Sequence, residues 1–281
     1  MNRRRCPIAP GVAFVTGAAR GLGNAVAVSF AKEGARAVVI VDINDEETMN
    51  KGKAAVEAHG AECLAIRADV TKETDVLRAV SEAVGRFGRI DYAANFAGVV
   101  GPPDTIISLD VEKWKKTLEV NATGVMLCTK HEMIQMMKQD SLEVEEGRQP
   151  QRGAIVNCAS VNSLQTMPGT GPYTASKHAC YGITKTPNKA ALEARGYGIR
   201  VNAVSPGFLM TRMVEESLFD GDLSESRGMA MWKYFEARQG RSGRPEEVGD
   251  VVVLLCSPRM SLVVGQNVFI DGGFTLNEGD S

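Results

Sequence analysis

The chain is 281 residues long, 44% hydrophobic and 23% charged, enough to bury a sizeable core without a disulfide or metal staple. Its 32 Lys and Arg against 34 Asp and Glu give a net charge of -2, which excludes a nucleic-acid coat built on a basic face. The six cysteines are scattered, without a C-x-x-C pair and without clustering with the three histidines, so neither a metal site nor a disulfide framework is expected; they read as buried thiols in a reducing compartment.

Arg3, Arg4 and Arg5 are followed by Pro7-Ile8-Ala9-Pro10 and not by the unbroken apolar run of a signal peptide. No apolar stretch approaches the roughly 18 residues of a membrane span, so a cytoplasmic location without membrane attachment is expected. Short runs rich in Val and Ile predict strands at Val12 to Thr16, Ala37 to Val41, Glu62 to Arg67, Tyr92 to Asn95, Ala154 to Cys158, Arg200 to Val204 and Asn267 to Ile270. Helical patterns fall between them, at about Leu22 to Glu33, Glu46 to His59, Glu73 to Phe87, Val111 to Met137, Tyr173 to Arg195 and Glu246 to Leu255. Seven strands alternating with helices, each strand apolar on both faces, predict one α/β domain over 1–281, a doubly wound parallel sheet with helices on both faces. Lys138 to Arg152 is polar and reads as a solvated surface loop. Phe208 to Arg244 reads as irregular, a lid over a substrate.

The first strand runs into Thr16-Gly17-Ala18-Ala19-Arg20-Gly21-Leu22-Gly23, just before a helical pattern. Glycines there allow a sharp turn and bring the main chain close to a pyrophosphate, which sits over the free N–H groups and positive end of the helix. The spacing is G-x-x-x-G-x-G, not G-x-G-x-x-G, and a glycine-rich turn can also exist only to make the turn. Asp42 ends the second strand, nineteen residues after Gly23, where a carboxylate accepts hydrogen bonds from both hydroxyls of an adenosine ribose. That favours NAD: a 2'-phosphate would meet a like charge, and Ile43, Asn44 and Asp45 bring no arginine to offset it. Arg20, inside the loop, is the counter-signal and could reach such a phosphate.

Tyr173-Thr174-Ala175-Ser176-Lys177 opens a later helix, and Ser160 stands thirteen residues before Tyr173, just beyond a strand. Residues four apart share a helical face, so Lys177 can hold its ammonium close to the Tyr173 phenol. A phenol, with a free pKa near 10, is favoured as phenolate by a cation within about 4–6 Å, which suits it to general-base work at neutral pH. Ser160 can hydrogen-bond a substrate oxygen and fix its angle. A Y-x-x-x-K pair alone is common on exposed helices; its weight comes from the other motifs.

Taken together, these motifs resemble the short-chain dehydrogenase/reductase family over about Gly11 to Gly273: the Thr16 to Gly23 loop, Asp69-Val70, Asn95-Phe96-Ala97-Gly98, Asn121, Ser160, Tyr173 with Lys177, and Pro206-Gly207 with Thr211. The resemblance implies a Rossmann-like fold. It also implies that Asp69 receives the adenine amino group with Val70 beside it, that Asn95, Ala97 and Gly98 pack against the adenine ribose and stabilise the sheet, and that Pro206, Gly207, Leu209 and Thr211 hold the nicotinamide carboxamide. Asn121 is implied to kink its helix and hold a water linking Lys177 to solvent. Tyr173 is then the acid/base, Lys177 binds the nicotinamide ribose, and Ser160 orients the carbonyl or alcohol.

Two departures stand out. Phe96 takes the place of a small or amide residue, and Pro187 falls inside the helix that begins at Tyr173, where a kink or break is expected. In the family that helix often builds a subunit interface, which implies a homodimer or homotetramer. The expected activity is NAD-dependent interconversion of a secondary alcohol and a ketone. Val99, Val100, Pro102, Pro103, Val161, Leu164, Met167, Phe208, Met210, Met213, Trp232 and Phe235 suggest an apolar, ring-containing substrate, as in specialised metabolism. The alternatives are an NADPH-dependent ketone reductase, if Arg20 outweighs Asp42, and a non-catalytic protein that senses NADH.

Overall fold

The computed structural model describes residues 7–195, 198–209 and 225–276, with main chain only at 187–195 and 225–228. Seven strands form one sheet: β1 Val12–Thr16, β2 Ala37–Asp42, β3 Glu62–Arg67, β4 Tyr92–Asn95, β5 Gly153–Cys158, β6 Ile199–Pro206 and β7 Asn267–Ile270. All neighbours pair in parallel, in the order β3-β2-β1-β4-β5-β6-β7. The winding direction reverses between β1 and β4, which opens a crevice at their carboxyl ends. Register aligns what stands there: Thr16 pairs with Val41 on one side and Asn95 on the other, and Asn95 pairs with Asn157.

The helices are α1 Gly21–Lys32, α2 Glu46–Glu57, α3 Glu73–Phe87, α4 Val111–Leu118, α5 Val125–Met137, α6 Gly171–Arg195, α7 Glu225–Gln239 and α8 Pro245–Cys256. Strand periodicity divides the core in two. Ala13 and Val15 of β1 join Val38 and Ile40 of β2 against Val26 and Phe30 of α1 and Val252 and Val253 of α8. Val12 and Phe14 join Val39 and Val41 on the other face, against Ala79, Val80 and Ala83 of α3 and Met136 of α5. Phe30 stacks on Tyr92 with ring centroids 5.6 Å apart. Local signals set the helix ends: the Asp45 carboxylate accepts from Thr48 N, the Asp110 carboxylate from Glu112 N and Lys113 N, and Gly88, with φ 83°, closes α3 in the left-handed region.

Four expectations need correction. Burial on both faces fails at the sheet edges, where β3 exposes Glu62 and Arg67 and every β7 residue is half-buried. Val111 to Met137 is not one α-helix, because a π-helical turn, Glu119–Gly124, separates α4 from α5. The segment Phe208 to Arg244 is not irregular throughout. It contains α7, whose buried stripe among the described side chains is Trp232, Phe235 and Gln239, too narrow among charged neighbours to read as a helix. Met210 and Met213 lie outside the described residues. Finally, α6 is not broken at Pro187 and continues to Arg195. Proline removes one N–H bond from a helix of 25 residues whose earlier turns already pack on β5 and β6.

The loop over 138–152 is largely exposed but is anchored at both ends, by Gln139, which bonds the main chain of Ile90, and by buried Gln151. The five cysteines among the described residues are free thiols, and no described helix is long and apolar enough to cross a membrane.

Buried Arg200 on β6 has no carboxylate partner among the described residues. Its guanidinium donates to the carbonyls of Leu255, Cys256, Ser257, Met260 and Val263 and to Gln151 Oε1, at 2.8 to 3.4 Å. A cation there answers the partial negative charge at the end of α8 and satisfies carbonyls that no helix bond can reach. Arg200→Met strands those acceptors, and the urea midpoint should fall by the equivalent of about 3 kcal/mol.

Candidate active site

Three glycines shape the turn after β1, each for a different reason. Gly17 has φ 66°, and a Cβ on it would come 2.6 Å from Ala97 N. A Cβ on Gly23 would overlap the Gly17 carbonyl oxygen, so α1 can start close under the turn only without one. Gly21 has φ 61° and lies open, with no protein atom within 4 Å of where its Cβ would be. Arg20 at the N-cap is exposed, and no side chain caps α1. A clear cradle over an uncapped helix start fits a pyrophosphate. Asn24 stiffens it: its Nδ2 donates to Ala18 O at 2.9 Å and to Gly52 O at 3.1 Å, tying the turn to α2.

Beside the turn, the Asp42 carboxylate accepts from Ala19 N at 3.0 Å, Ile43 N at 2.8 Å and Asn44 Nδ2 at 2.6 Å. These donors fix its orientation and leave room on Oδ2 for a further hydroxyl. Asp69 accepts from Thr71 N and Oγ1 through a single oxygen, while buried Val70 packs in one cluster with Ala97. Phe96 N and Ala97 N both bond Thr16 Oγ1, at 3.2 and 3.4 Å. The turn thus survives Phe96, whose ring packs against the core. The Asn95 amide is buried and donates across the sheet to Asn157 on β5 and to Glu132 on α5.

Gly98 continues this turn toward the second group of residues. A Cβ there would be 3.2 Å from Asn121 Oδ1 and 3.8 Å from Lys177 Nζ. Buried Lys177 donates to Cys158 O at 2.8 Å, which leaves two N–H bonds for other acceptors, and its Nζ lies 5.4 Å from the centre of the half-buried Tyr173 ring. Burial pulls the ammonium pKa down, but the Tyr173 side chain and the thiols of Cys158 and Cys180 outweigh it and the net shift is upward. The cation therefore persists without a carboxylate. Ser160 Oγ accepts from Asn162 N at 3.2 Å, so its own proton is free to donate to an oxygen. Asn162 Nδ2 reaches Thr174 Oγ1 at 3.0 Å, which clips the turn of Ser160 to the helix of Tyr173.

Asn121 sits in the π-helical turn, fully buried. Its Nδ2 donates to Val99 O at 2.8 Å and Ser176 Oγ at 3.0 Å, and its Oδ1 accepts from Val99 N at 2.8 Å. These bonds occupy both donors of the amide.

Pro206 and Gly207 leave β6 beneath Gln239 of α7. A Cβ on Gly207 would overlap Gln239 Oε1, which accepts from Phe208 N at 2.7 Å, while Gln239 Nε2 donates to Phe208 O at 2.9 Å. Leu209 turns its side chain into the core, and Thr211 lies outside the described residues. Phe208 stacks on Phe235 at 3.9 Å and meets Trp232 and Phe274 edge-on, beside Val161 and Met167. Trp232 and Phe235 are thus packing residues and not free lid side chains. Gln239, Asn162, Asn24 and Phe274 escape sequence reasoning because each acts through a partner 12 or more residues away, or on another element, although Asn162, two residues after Ser160, and Asn24, next to Gly23, stood near motifs.

The sequence profile described as Enoyl-(Acyl carrier protein) reductase matches residues 17–275. Short-chain dehydrogenase fogB of Aspergillus ruber is 38% identical over 281 aligned residues, covering 95% of this chain and 97% of its own. The cis-4-hydroxycyclohexanecarboxylate dehydrogenase of Sinomonas cyclohexanicum is 36% identical over 266 residues, 94% of this chain and 96% of its own. Among solved structures, levodione reductase superposes with a TM-score of 0.85 at 34% identity, over 96% of this chain and 99% of that one.

The close packing at Gly23 gives a direct check. Gly23→Ala should cost about 1–3 kcal/mol in urea unfolding, because its methyl meets main chain that cannot yield. Gly85→Ala, in α3 where a Cβ meets nothing within 4 Å, should be neutral or stabilise by up to about 1 kcal/mol.

Proposed function

The chain belongs to the short-chain dehydrogenase/reductase family, and we propose that it interconverts a secondary alcohol and a ketone on an apolar, ring-containing substrate with NAD as partner. Enzymes of this family act at CH–OH groups with nicotinamide cofactors. The observation that carries the reading is one juxtaposition: the turn Asn95 to Gly98 touches the glycine cradle through Ala97 and lies against Lys177 through Gly98, with Tyr173 beside the lysine and the turn of Ser160 clipped to the same helix through Asn162.

The residues that fit the cofactor are Gly17, Arg20, Gly21, Leu22 and Gly23 for the pyrophosphate, Asp42 for the adenosine ribose, Asp69 and Val70 for the adenine, and the main chain of Pro206 to Leu209, with Thr211, for the nicotinamide. When bound, the cofactor accepts or supplies the hydride. In the oxidation direction Tyr173 removes the substrate hydroxyl proton, and Ser160, donating its own proton, holds the substrate oxygen at a fixed angle. Lys177 would direct its two remaining N–H bonds to ribose hydroxyls, and the proton taken by Tyr173 would leave past Lys177 toward the turn of Asn121. The cluster of Phe208, Trp232, Phe235 and Phe274 supports an apolar substrate wall. The relative named for cis-4-hydroxycyclohexanecarboxylate supports a ring.

NAD follows from Asp42, which the donors of Ala19 and Asn44 hold in place as a carboxylate. Arg20, exposed and capping nothing, is what supports an NADPH-dependent reductase instead.

Tyr173→Phe should lower kcat by roughly 100-fold or more while NADH binding, read by nucleotide fluorescence, stays within about twofold. Turnover unchanged by the substitution removes the phenol from the reaction. Asp42→Ala should raise KM for NAD about tenfold and lower KM for NADP, since a repulsion worth about 1 kcal/mol or more disappears. A preference for NADP already present before substitution turns the assignment to Arg20.

A further inference from the structure

Buried polar side chains meet behind the turn that joins the two halves of the site: Asn95 at the end of β4, Asn157 on β5 and Glu132 on α5. Asn95 Nδ2 donates to both Glu132 Oε2 and Asn157 Oδ1, at 3.0 Å each. Asn157 is completed by Thr129 Oγ1, which donates to its Oδ1, and by Thr184 Oγ1, which accepts from its Nδ2. Within this cluster two buried atoms are left over, Asn95 Oδ1 and Glu132 Oε1. Both are acceptors if the carboxyl is an anion, so neither can serve the other. No described Lys, Arg or His forms an ion pair with Glu132. An amide and a carboxyl already joined by one N–H···O bond need only a proton on the second carboxyl oxygen to close a ring of two hydrogen bonds.

We propose that Glu132 is a neutral carboxylic acid in the folded protein, its O–H donating to Asn95 Oδ1 while Asn95 Nδ2 donates to its other oxygen, and that this closed pair positions the Asn95 to Gly98 turn. Burial agrees, since it pushes the carboxyl up to about 8, against the smaller opposing effect of the Asn95 hydrogen bond. The surroundings hold no charge to reverse this. From β4, β5 and α6 come Asn95, Asn157 and Thr184. The titratable groups that feel the charge of Glu132 are the thiols of Cys128 on α5 and Cys256 on α8, both pushed up by burial and so neutral.

The turn has little slack to absorb a change at Asn95. Phe96 and Ala97 are bonded to Thr16, Ala97 lies against Gly17, and Gly98 lies against Asn121 and Lys177. Ionising Glu132 sets two acceptors against each other at the root of this turn. Glu132 is thus a positioning residue acting through Asn95. That role rests on the proposed dinucleotide site, whereas the protonation state does not.

Carbon-13 NMR of the full chain labelled at glutamate carboxyls tests the state directly. One glutamate carboxyl should remain in the acid form at pH 7, titrate near 8, and be missing from Glu132→Gln. Finding every glutamate ionised at pH 7 overturns the proposal. Glutamine can close the same ring, its Nε2 donating to Asn95 Oδ1, but cannot titrate. Because the folded pKa lies above the unfolded one, the stability supplied by the acid is full below about pH 4.5 and declines as pH rises through about 8. The melting temperature of Glu132→Gln should therefore gain on that of the native protein between pH 5 and pH 8.5. A difference that does not change with pH, or a Gln variant that fails to fold, sinks the paired acid.

Glu132→Leu, which leaves the Asn95 amide unpaired, should melt about 5 °C or more lower at every pH. NADH affinity should fall severalfold above pH 8 in the native protein and not in Glu132→Gln; equal pH profiles remove the positioning role. Absence of NADH binding by the native protein at any pH refutes the dehydrogenase reading and leaves the NMR result standing.

Discussion

The parallel pairing of β1 with β4 is the constraint on which the site depends. It stacks Thr16 against Asn95 at the carboxyl edge of the sheet, so the turns that leave both strands start side by side. Thr16 then does two things with its main chain and hydroxyl: it feeds the glycine turn, and its oxygens accept from the N–H groups of the neighbouring turn. Gly17 against Ala97 is the contact that follows. A register slip of one residue would exchange the two core faces of the slipped strand and separate these turns, so core packing and site assembly are one problem with one solution.

On the far side of the Asn95 to Gly98 turn, a buried ammonium without a carboxylate would ordinarily be a liability. The molecule solves it with neutral oxygen and with groups able to become anions. The Cys158 carbonyl takes one proton of Lys177, and Tyr173 and two thiols favour its charged form against burial. Arg200 follows the same logic elsewhere, its guanidinium satisfied by main-chain carbonyls. In both cases a cation surrounded by dipoles keeps unspent directionality, which at Lys177 faces Gly98 and the site. Neither arrangement relies on surface ion pairs, which are screened by salt and contribute little.

Strands, their carboxyl-end motifs and most helix limits were legible because each rests on local chemistry: buried runs of β-branched residues, caps such as Asp45 and Asp110, glycines that must adopt positive φ. Tyr173, Lys177 and Ser160 were legible as a set through their spacing and order. What the sequence did not reveal depends on distant partners. A sheet-stabilising role was implied for Asn95, but nothing local to it names Glu132, 37 residues away, as a partner of its amide. Asn121 was expected to kink its helix; it stands in a π-helical turn, and it is Val99 and Ser176, not its sequence neighbours, that hold the amide there. Helix α7 was missed because only three of its described side chains are buried, and one of them is a glutamine.

That glutamine shows why the substrate side is the least legible part. Gln239 grips both the N–H and the carbonyl of Phe208, and Phe208 in turn stacks on Phe235 four residues before Gln239 in the same helix. The end of β6 and the end of α7 are therefore bound by polar and aromatic contacts at a single residue. Phe274 closes the cluster from the far end of the chain, and Arg238 donates to its carbonyl while its guanidinium lies 4.3 Å from the ring centre. The aromatic cluster is thus assembled from separate stretches of sequence, and its shape is set by how they pack together. Composition reports that these stretches are apolar; only the packing says which aromatic faces are spent on one another.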